Sequence, residues 1–374
     1  LRNQRHDEIP QLFAYSQLLL SVNGIDARYG TCGTAAKFWA AWREEVFGEP
    51  EMAAIKNQQP SETALAAIFA GRQDAFAWYR QWSAQTLALN GQDRLMIGLL
   101  TQTRLLEMVR FFMLFDKKAG KIAARYQQVF AIKRLLAHLT RAKPDGSRES
   151  GVIWHTTGSG KSFTLVFLSK ALILYDALKR CRLLVVTDRV DLENQLSATF
   201  MSGGELVGKR DKAQAMATSG KRLAEQIGRG NERIMFTLVQ KFNSAIRLPE
   251  CFNDSADLIV LVDEGHRSQG GENHIYMKQA LPNAAFVAFT GTPLLKDDKT
   301  AHKFGSIIHA YTMQRAVEDA TVTPLLYEER IPDLDVNERA IDSWFERITE
   351  NLTEKQQSNL KRRFAQKQGV YGAD

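Results

Sequence analysis

Five short, almost unbroken apolar runs with helical patterns between them constrain this chain more than any other feature. They are Gly151 to Trp154, Arg182 to Thr187, Arg233 to Val239, Asp257 to Val262 and Ala284 to Phe289. A strand with one wet face alternates apolar and polar residues, whereas a strand covered on both faces is apolar throughout. Segments such as Phe163 to Leu178 and Leu192 to Phe200 have the spacing of the helices that would provide this cover. The expected fold is α/β, a parallel sheet with helices on both faces, preceded by a largely helical region.

The flanks differ in character. Residues 1–116 are rich in Ala, Leu, Gln and aromatics, and Ala64 to Phe69 and Arg104 to Val109 read as helices. Trp39, Trp42, Trp78 and Trp82 recur at helical spacings and are expected to pack a core rather than stack on bases. Asn23-Gly24 after Leu18 to Val22 predicts a turn behind a strand. Lys143 to Ser147 reads as the loop entering the first buried strand. Beyond Pro332 the chain is charged and helical with no further strands. Three segments are therefore expected: 1–116, 117–330 carrying the sheet, and 331–374 as a helical extension.

Composition excludes several classes. With 44% hydrophobic and 24% charged residues the composition is that of an ordinary soluble globular chain, which argues against disorder. No stretch approaches the ~20 apolar residues that span a bilayer. The opening residues lack the apolar core of a signal peptide, so a cytoplasmic setting without membrane contact is expected. The first residue is not Met, which suggests a piece of a longer protein. Cys32, Cys181 and Cys251 are far apart and form no paired motif, which argues against a zinc site or a disulfide scaffold. Cys181 is expected as a buried thiol. The net charge of +7 is compatible with a polyanionic partner. The basic residues between Lys117 and Arg148 are read mainly as a solvated helix face and loop.

The strongest local pattern is His155-Thr156-Thr157-Gly158-Ser159-Gly160-Lys161-Ser162, placed after a strand and before a helix. In such a turn, glycines let backbone N–H groups approach a phosphate at a helix N-terminus. Thr157, Gly158, Ser159 and Gly160 would form the cradle, and Lys161 would neutralise β/γ-phosphate charge. The Ser162 hydroxyl would face Mg²⁺. His155 stands where such loops usually begin with Gly. A Gly/Ser-rich turn that merely starts a helix is the alternative.

The run Leu258 to Val262 ends in Asp263-Glu264-Gly265-His266, which puts two carboxylates at a strand's carboxyl edge. Asp263 suits Mg²⁺ and Glu264 suits activation of a water. Thr290-Gly291-Thr292-Pro293 closes the next run, where hydroxyls can sense a terminal phosphate. Each pattern alone could be an ordinary strand end or turn. Together they supply both halves of one ATP site.

In this order the three patterns resemble motifs I, II and III of superfamily 2 helicases, whose motor domains are RecA-like. Thr187 to Leu192 with Gln195 is similar to that family's next motif, and Thr237 to Phe242 to a DNA-side motif. Tyr126-Gln127-Gln128 resembles an adenine-reading motif, with Gln128 as the reader. Further matches narrow the resemblance to the R (HsdR) motor subunit of type I restriction enzymes. These are Gly151 to His155, His266-Arg267-Ser268-Gln269, Thr290 to Leu294 and Phe304-Gly305. Ile9 to Tyr15 looks like the end of that family's nuclease domain. The resemblance covers nearly the whole chain.

The resemblance implies ATP-driven translocation of double-stranded DNA, with modification (M) and specificity (S) subunits as partners. It also implies that His266, Thr290 and Thr292 couple the nucleotide to DNA, and that Arg189, Thr237 and Lys241 lie on the DNA side. Surface ion pairs are the alternative for the two basic residues. The nuclease Asp and Glu-x-Lys, the second motor domain and its arginine finger are expected outside this chain. Another superfamily 2 repair helicase, or a nucleotide-binding assembly module without turnover, are the competing readings.

Overall fold

The computed structural model describes residues 8–116, 120–141, 143–187, 215–263, 271–291, 304–324 and 338–364. Its centre is a six-stranded sheet in which every adjacent pair is parallel. The strands are β6 (Gly151–His155), β7 (Arg182–Thr187), β8 (Ile234–Leu238), β9 (Leu258–Asp263), β10 (Ala285–Thr290) and β11 (Ile307–Tyr311), in the spatial order β11-β6-β10-β9-β7-β8. The five apolar runs are thus β6 to β10. β11 escaped the pattern because it is not covered throughout: Ile307 and Ala310 are exposed, while His309 and Tyr311 are buried.

Strand geometry explains the unbroken runs. Ile153, Leu183, Val185, Phe236, Ile259, Leu261, Val287 and Phe289 face one core. Their neighbours Val152, Leu184, Val186, Met235, Val260, Val262, Phe286 and Ala288 face the other. Successive side chains point to opposite faces, so a sheet with two covered faces needs apolar residues at every position. Each such side chain contributes about 1.5–3 kcal/mol when fully buried.

Helices α7 (Tyr126–Leu139) and α8 (Lys161–Leu174) supply the first core. α8 has no polar stripe: Leu165, Val166, Phe167 and Leu168 are all buried in succession, the signature of a helix covered all round. The second face is covered by helices Gly220–Arg229, Val239–Ala245 and Gly271–Ala280, through Leu223, Ile227, Phe242 and Met277. The expected helix Leu192 to Phe200 lies outside the described residues.

Among the described residues the N-terminal part holds six α-helices, α1 (Pro10–Tyr15), α2 (Glu49–Lys56), α3 (Glu62–Ile68), α4 (Gln73–Ser83), α5 (Gly91–Leu100) and α6 (Gln102–Phe111). It also holds an antiparallel sheet of β1 (Leu19–Val22), β2 (Ala27–Gly30) and β3 (Ala40–Ala41), and the hairpin β4 (Met113–Asp116) with β5 (Gly120–Ala123). The β1–β2 turn is the one expected. Asn23 Oδ1 accepts from the N–H groups of Ile25 and Asp26, and Gly24 takes φ +84°.

The tryptophans divide. Trp42 is buried, with its ring 5.6 Å from that of Phe130 on α7. It follows a strand, though, so the helical spacing with Trp39 was coincidental. Trp78 and Trp82 do share a helix, α4, but they stack on each other at the surface, 64% and 44% exposed. Their expected place in the core is corrected: periodicity showed a common face, and tertiary packing left that face uncovered.

The Tyr29 hydroxyl donates to the carbonyl of Ala124, and Ala27, Tyr29, Trp42 and Leu95 belong to the same core as α7 and α8. Contacts divide the chain into Leu1–Thr323 and Pro324–Asp374. The second unit contains helices Glu338–Thr349 and Glu354–Phe364, joined by a bond from Gln357 Nε2 to the carbonyl of Thr349. No described helix is long and apolar enough to cross a membrane.

The basic segment is largely structural. Lys121 is buried and donates to the Ser16 carbonyl, Lys133 pairs with Glu107, and Arg134 pairs with Glu45. Arg148 binds Asp257 and the carbonyls of Leu139 and Ala256. Burial pushes the Cys181 thiol up to about 11 and the Cys251 thiol up to about 12, so both are inert packing groups.

Candidate functional site

The chain leaves β6 at His155 and enters α8 at Lys161 through a tight turn. Gly158 (φ +83°) and Gly160 (φ +91°) take left-handed backbone that other residues adopt only with strain. The Ser159 N–H and hydroxyl both bond to the carbonyl of Thr156, which folds the turn on itself. No side chain caps α8 and its first turn carries no acid. An uncapped helix start with small residues around it is suited to an anion. Thr157 and Gly158 are exposed, and Gly160, Lys161 and Ser162 are half-buried, so a ligand can reach this turn.

The next layer is β10. Its Thr290 is fully buried and registers with Trp154, and Trp154 Nε1 donates to the Gly291 carbonyl. A Cβ on Gly291 would lie 2.7 Å from Thr157 Oγ1 and 3.1 Å from Lys161 Nζ. Glycine lets the third motif close on the first without displacing these two side chains. β9 follows, and its last residue, Asp263, registers with Phe289 and is 6% exposed. The turn after β6 that carries Lys161 and the end of β9 that carries Asp263 thus leave the same carboxyl edge, from strands separated only by β10. Two strand spacings amount to about 10 Å, a gap suited to phosphates and a cation.

Gln128 joins the turn from α7. Its Oε1 accepts from the Arg125 N–H, capping the helix, and its Nε2 donates to the Gly160 carbonyl at 3.1 Å. Glu264, His266, Thr292 and Arg189 lie outside the described residues. Thr237 is fully buried in β8 with its hydroxyl on the Leu238 carbonyl. Lys241 reaches the Ala217 carbonyl. Among the described residues no group of three or more His, Cys, Asp or Glu is placed to hold a metal. The donors that fit Mg²⁺ here are a carboxylate and a hydroxyl, Asp263 and Ser162, of the hard oxygen type that ion prefers.

Sequence reading missed the groups packed behind the turn. The Tyr126 and Tyr311 hydroxyls both bind Asp319, which also pairs with Arg43. Tyr311 and Arg125 meet Thr321, and Val322 lies against Gly158. Burial is the main cause that raises both tyrosines, Tyr311 to about 12. His155 Nε2 lies 3.0 Å from His309 Nδ1. These groups come from separate parts of the chain, and no local pattern connects them.

Residues 127–358 match the family model described as SWI2/SNF2 ATPase. The type I restriction enzyme HindI endonuclease subunit of Haemophilus influenzae is 31% identical over 96% of this chain and 32% of its own length. A putative type I restriction enzyme endonuclease subunit of Methanocaldococcus jannaschii, MjaIXP, is 29% identical over 92% of this chain and 31% of its own. The chain spans about a third of the length of these curated relatives. Among solved structures it is similar to the UvsW helicase of bacteriophage T4 (TM-score 0.38, 15% identity, 55% of this chain and 67% of that one). A nuclease-deletion mutant of the type ISP restriction-modification enzyme LlaGI in complex with a DNA substrate mimic is also similar (TM-score 0.38, 17% identity, 66% of this chain and 24% of that one).

Proposed function

The chain belongs to the SWI2/SNF2 ATPase family, and from that premise we propose that it is the ATP-hydrolysing half of a duplex-DNA translocase within a type I restriction R subunit. The observation that carries this reading is the closure of the Gly291 turn on Thr157 and Lys161, beside the strand that ends in Asp263.

In this reading, residues 117–330 form the ATP-binding domain. Residues 1–116 are the end of a nuclease domain with a helical region, and 331–374 lead toward a second RecA-like domain. Backbone groups of Thr157 to Gly160 cradle the phosphates of ATP, and Lys161 offsets charge that develops on the transferred phosphoryl. Glu264 orients and deprotonates the attacking water. Magnesium held at Ser162 and Asp263 would supply further charge neutralisation on the β and γ oxygens. Thr290, Thr292 and His266 pass the state of the nucleotide to the DNA side. There Arg189 and Lys241 contact backbone phosphates, which positions a duplex without reading its sequence. Modification and specificity subunits are the expected partners.

The test is ATP hydrolysis by the protein at its native length, with and without duplex DNA. Stimulation by DNA that disappears in Lys161→Ala and Asp263→Asn supports the reading. Equal turnover in the Lys161→Ala protein sinks it.

A further inference from the structure

Behind the phosphate turn, three side chains distant in sequence form one chain of hydrogen-bonding groups. Glu45 follows β3, His309 lies in β11, and His155 is the last residue of β6. Both carboxylate oxygens of Glu45 are 3.3 Å from His309 Nε2, and His309 Nδ1 is 3.0 Å from His155 Nε2. His155 is fully buried and His309 is 3% exposed. Arg134 holds Glu45 from its outer side at 2.8 Å.

The chemistry of these donors fixes the direction. An ionised carboxylate only accepts, so His309 carries its proton on Nε2. In a neutral imidazole the other nitrogen is then an acceptor, so His155 must donate from Nε2. Its own Nδ1 is left without a proton, and among the described residues that atom has no hydrogen-bond partner. A charged His155 is disfavoured by burial, then by His309 and by Lys161. With a neutral ring at His309, these contacts put both imidazoles in the Nε2–H form.

We propose that Glu45 and His309 are positioning residues that hold His155 in one tautomer and orientation, and so fix the entry of the turn that binds the ATP phosphates. The relay connects that turn to the N-terminal segment carrying Glu45. His155 starts the turn, and the next residue is tied to the same strand as His309, because the Thr156 N–H donates to the Tyr311 carbonyl at 3.0 Å. Loss of the acceptor on His309 leaves a buried N–H unpaired, and the ring must turn to satisfy it. The turn then moves with the ring, and phosphate binding weakens while the hydrolytic groups at Asp263 are untouched. This inference rests on the nucleotide reading of the site for its consequence, though not for its geometry.

Two measurements test it. Ring nitrogen-15 NMR of the seven histidines, with His155→Gln and His309→Gln to assign the signals, is expected to show both rings in the Nε2–H form at pH 7.5. A His155 in the Nδ1–H form, or protonated, overturns the relay. The second measurement is ATP hydrolysis and nucleotide titration of His309→Leu and His309→Asn, since the Asn carbonyl oxygen can replace Nδ1 as acceptor. His309→Leu should raise KM and Kd for ATP about tenfold with kcat within twofold, and His309→Asn should restore most of the affinity. Equal loss in both variants, or a loss in kcat alone, overturns the positioning role. Lys161→Ala separates the two readings. If that variant binds and hydrolyses ATP normally, the nucleotide site is wrong, while the NMR result still decides the relay.

Discussion

The side-chain amide of Gln128 donates to the carbonyl of Gly160 at 3.1 Å, so the residue expected to read adenine also holds the phosphate turn in place. Its oxygen is used as well, by the Arg125 N–H. An amide retains a second N–H and a second lone pair, which leaves one donor and one acceptor for a base edge. Gln128→Ala should weaken ATP binding about tenfold, or about 1.4 kcal/mol. Titration calorimetry with ATP and GTP distinguishes the two duties. A larger loss for ATP marks base reading, whereas equal losses leave only the tether and rule out adenine recognition by this side chain.

Gly291 permits the close approach of the third motif to the first. In Gly291→Ala the new methyl group meets Thr157 Oγ1 at 2.7 Å, closer than such atoms pack, and the Lys161 ammonium at 3.1 Å. Overpacking of this kind costs about 1–3 kcal/mol, concentrated at the turn. ATP hydrolysis is expected to fall more than tenfold while Tm drops by only a few degrees. Full activity in this variant would show that the contact is dispensable.

Arg182 is a purely structural counterpart. At the start of β7 its guanidinium donates to the carbonyls of Gln226, Ile227 and Glu232, closing the end of the helix Gly220–Arg229. Its side chain is 19% exposed. Arg182→Ala removes one donor from each carbonyl. Gln226 keeps the Gly230 N–H and Ile227 keeps Asn253 Nδ2, so the loss falls mainly on Glu232. The unfolding free energy should drop by about 1–3 kcal/mol. Urea denaturation measures this, and a change below about 0.5 kcal/mol would mean that water replaces the guanidinium.

His155 makes stability depend on pH with a definite sign. Burial, His309 and Lys161 hold its folded pKa well below the ordinary value of 6.5. The unfolded chain therefore takes up a proton as pH falls through about 6.5, and the folded chain does not. The contribution is complete above that pH and is lost as pH drops below it, by up to about 1.4 kcal/mol per pH unit. Tm should fall between pH 7 and pH 5.5, and His155→Gln should show a shallower fall. Parallel curves for the two proteins would place the acid sensitivity elsewhere.

The sheet was legible because burial on two faces writes itself into local sequence. Val260 and Leu261 face opposite cores, yet both must be apolar, so β9 announces itself as an unbroken run that ends at Asp263. The phosphate turn was legible for a similar reason, since Gly158 and Gly160 need a backbone that only glycine takes easily. The edge strand β11 was not, because its exposed positions interrupt the signal and its register shifts between Ile307 and His309.

What the sequence determined by itself was therefore the parallel sheet, the turn at Lys161 and the carboxylate that ends β9, each a consequence of contacts within a few residues. What only the tertiary structure decided was the company those groups keep. Glu45, His309 and His155 are held together by a hydrogen-bonded path that crosses 264 positions of chain, and Trp78 is left at the surface by packing around it. Backbone conformation and strand burial are short-range demands that each residue must satisfy where it stands. Hydrogen bonds between side chains depend on distance in space, and the order of the strands in the sheet sets that distance.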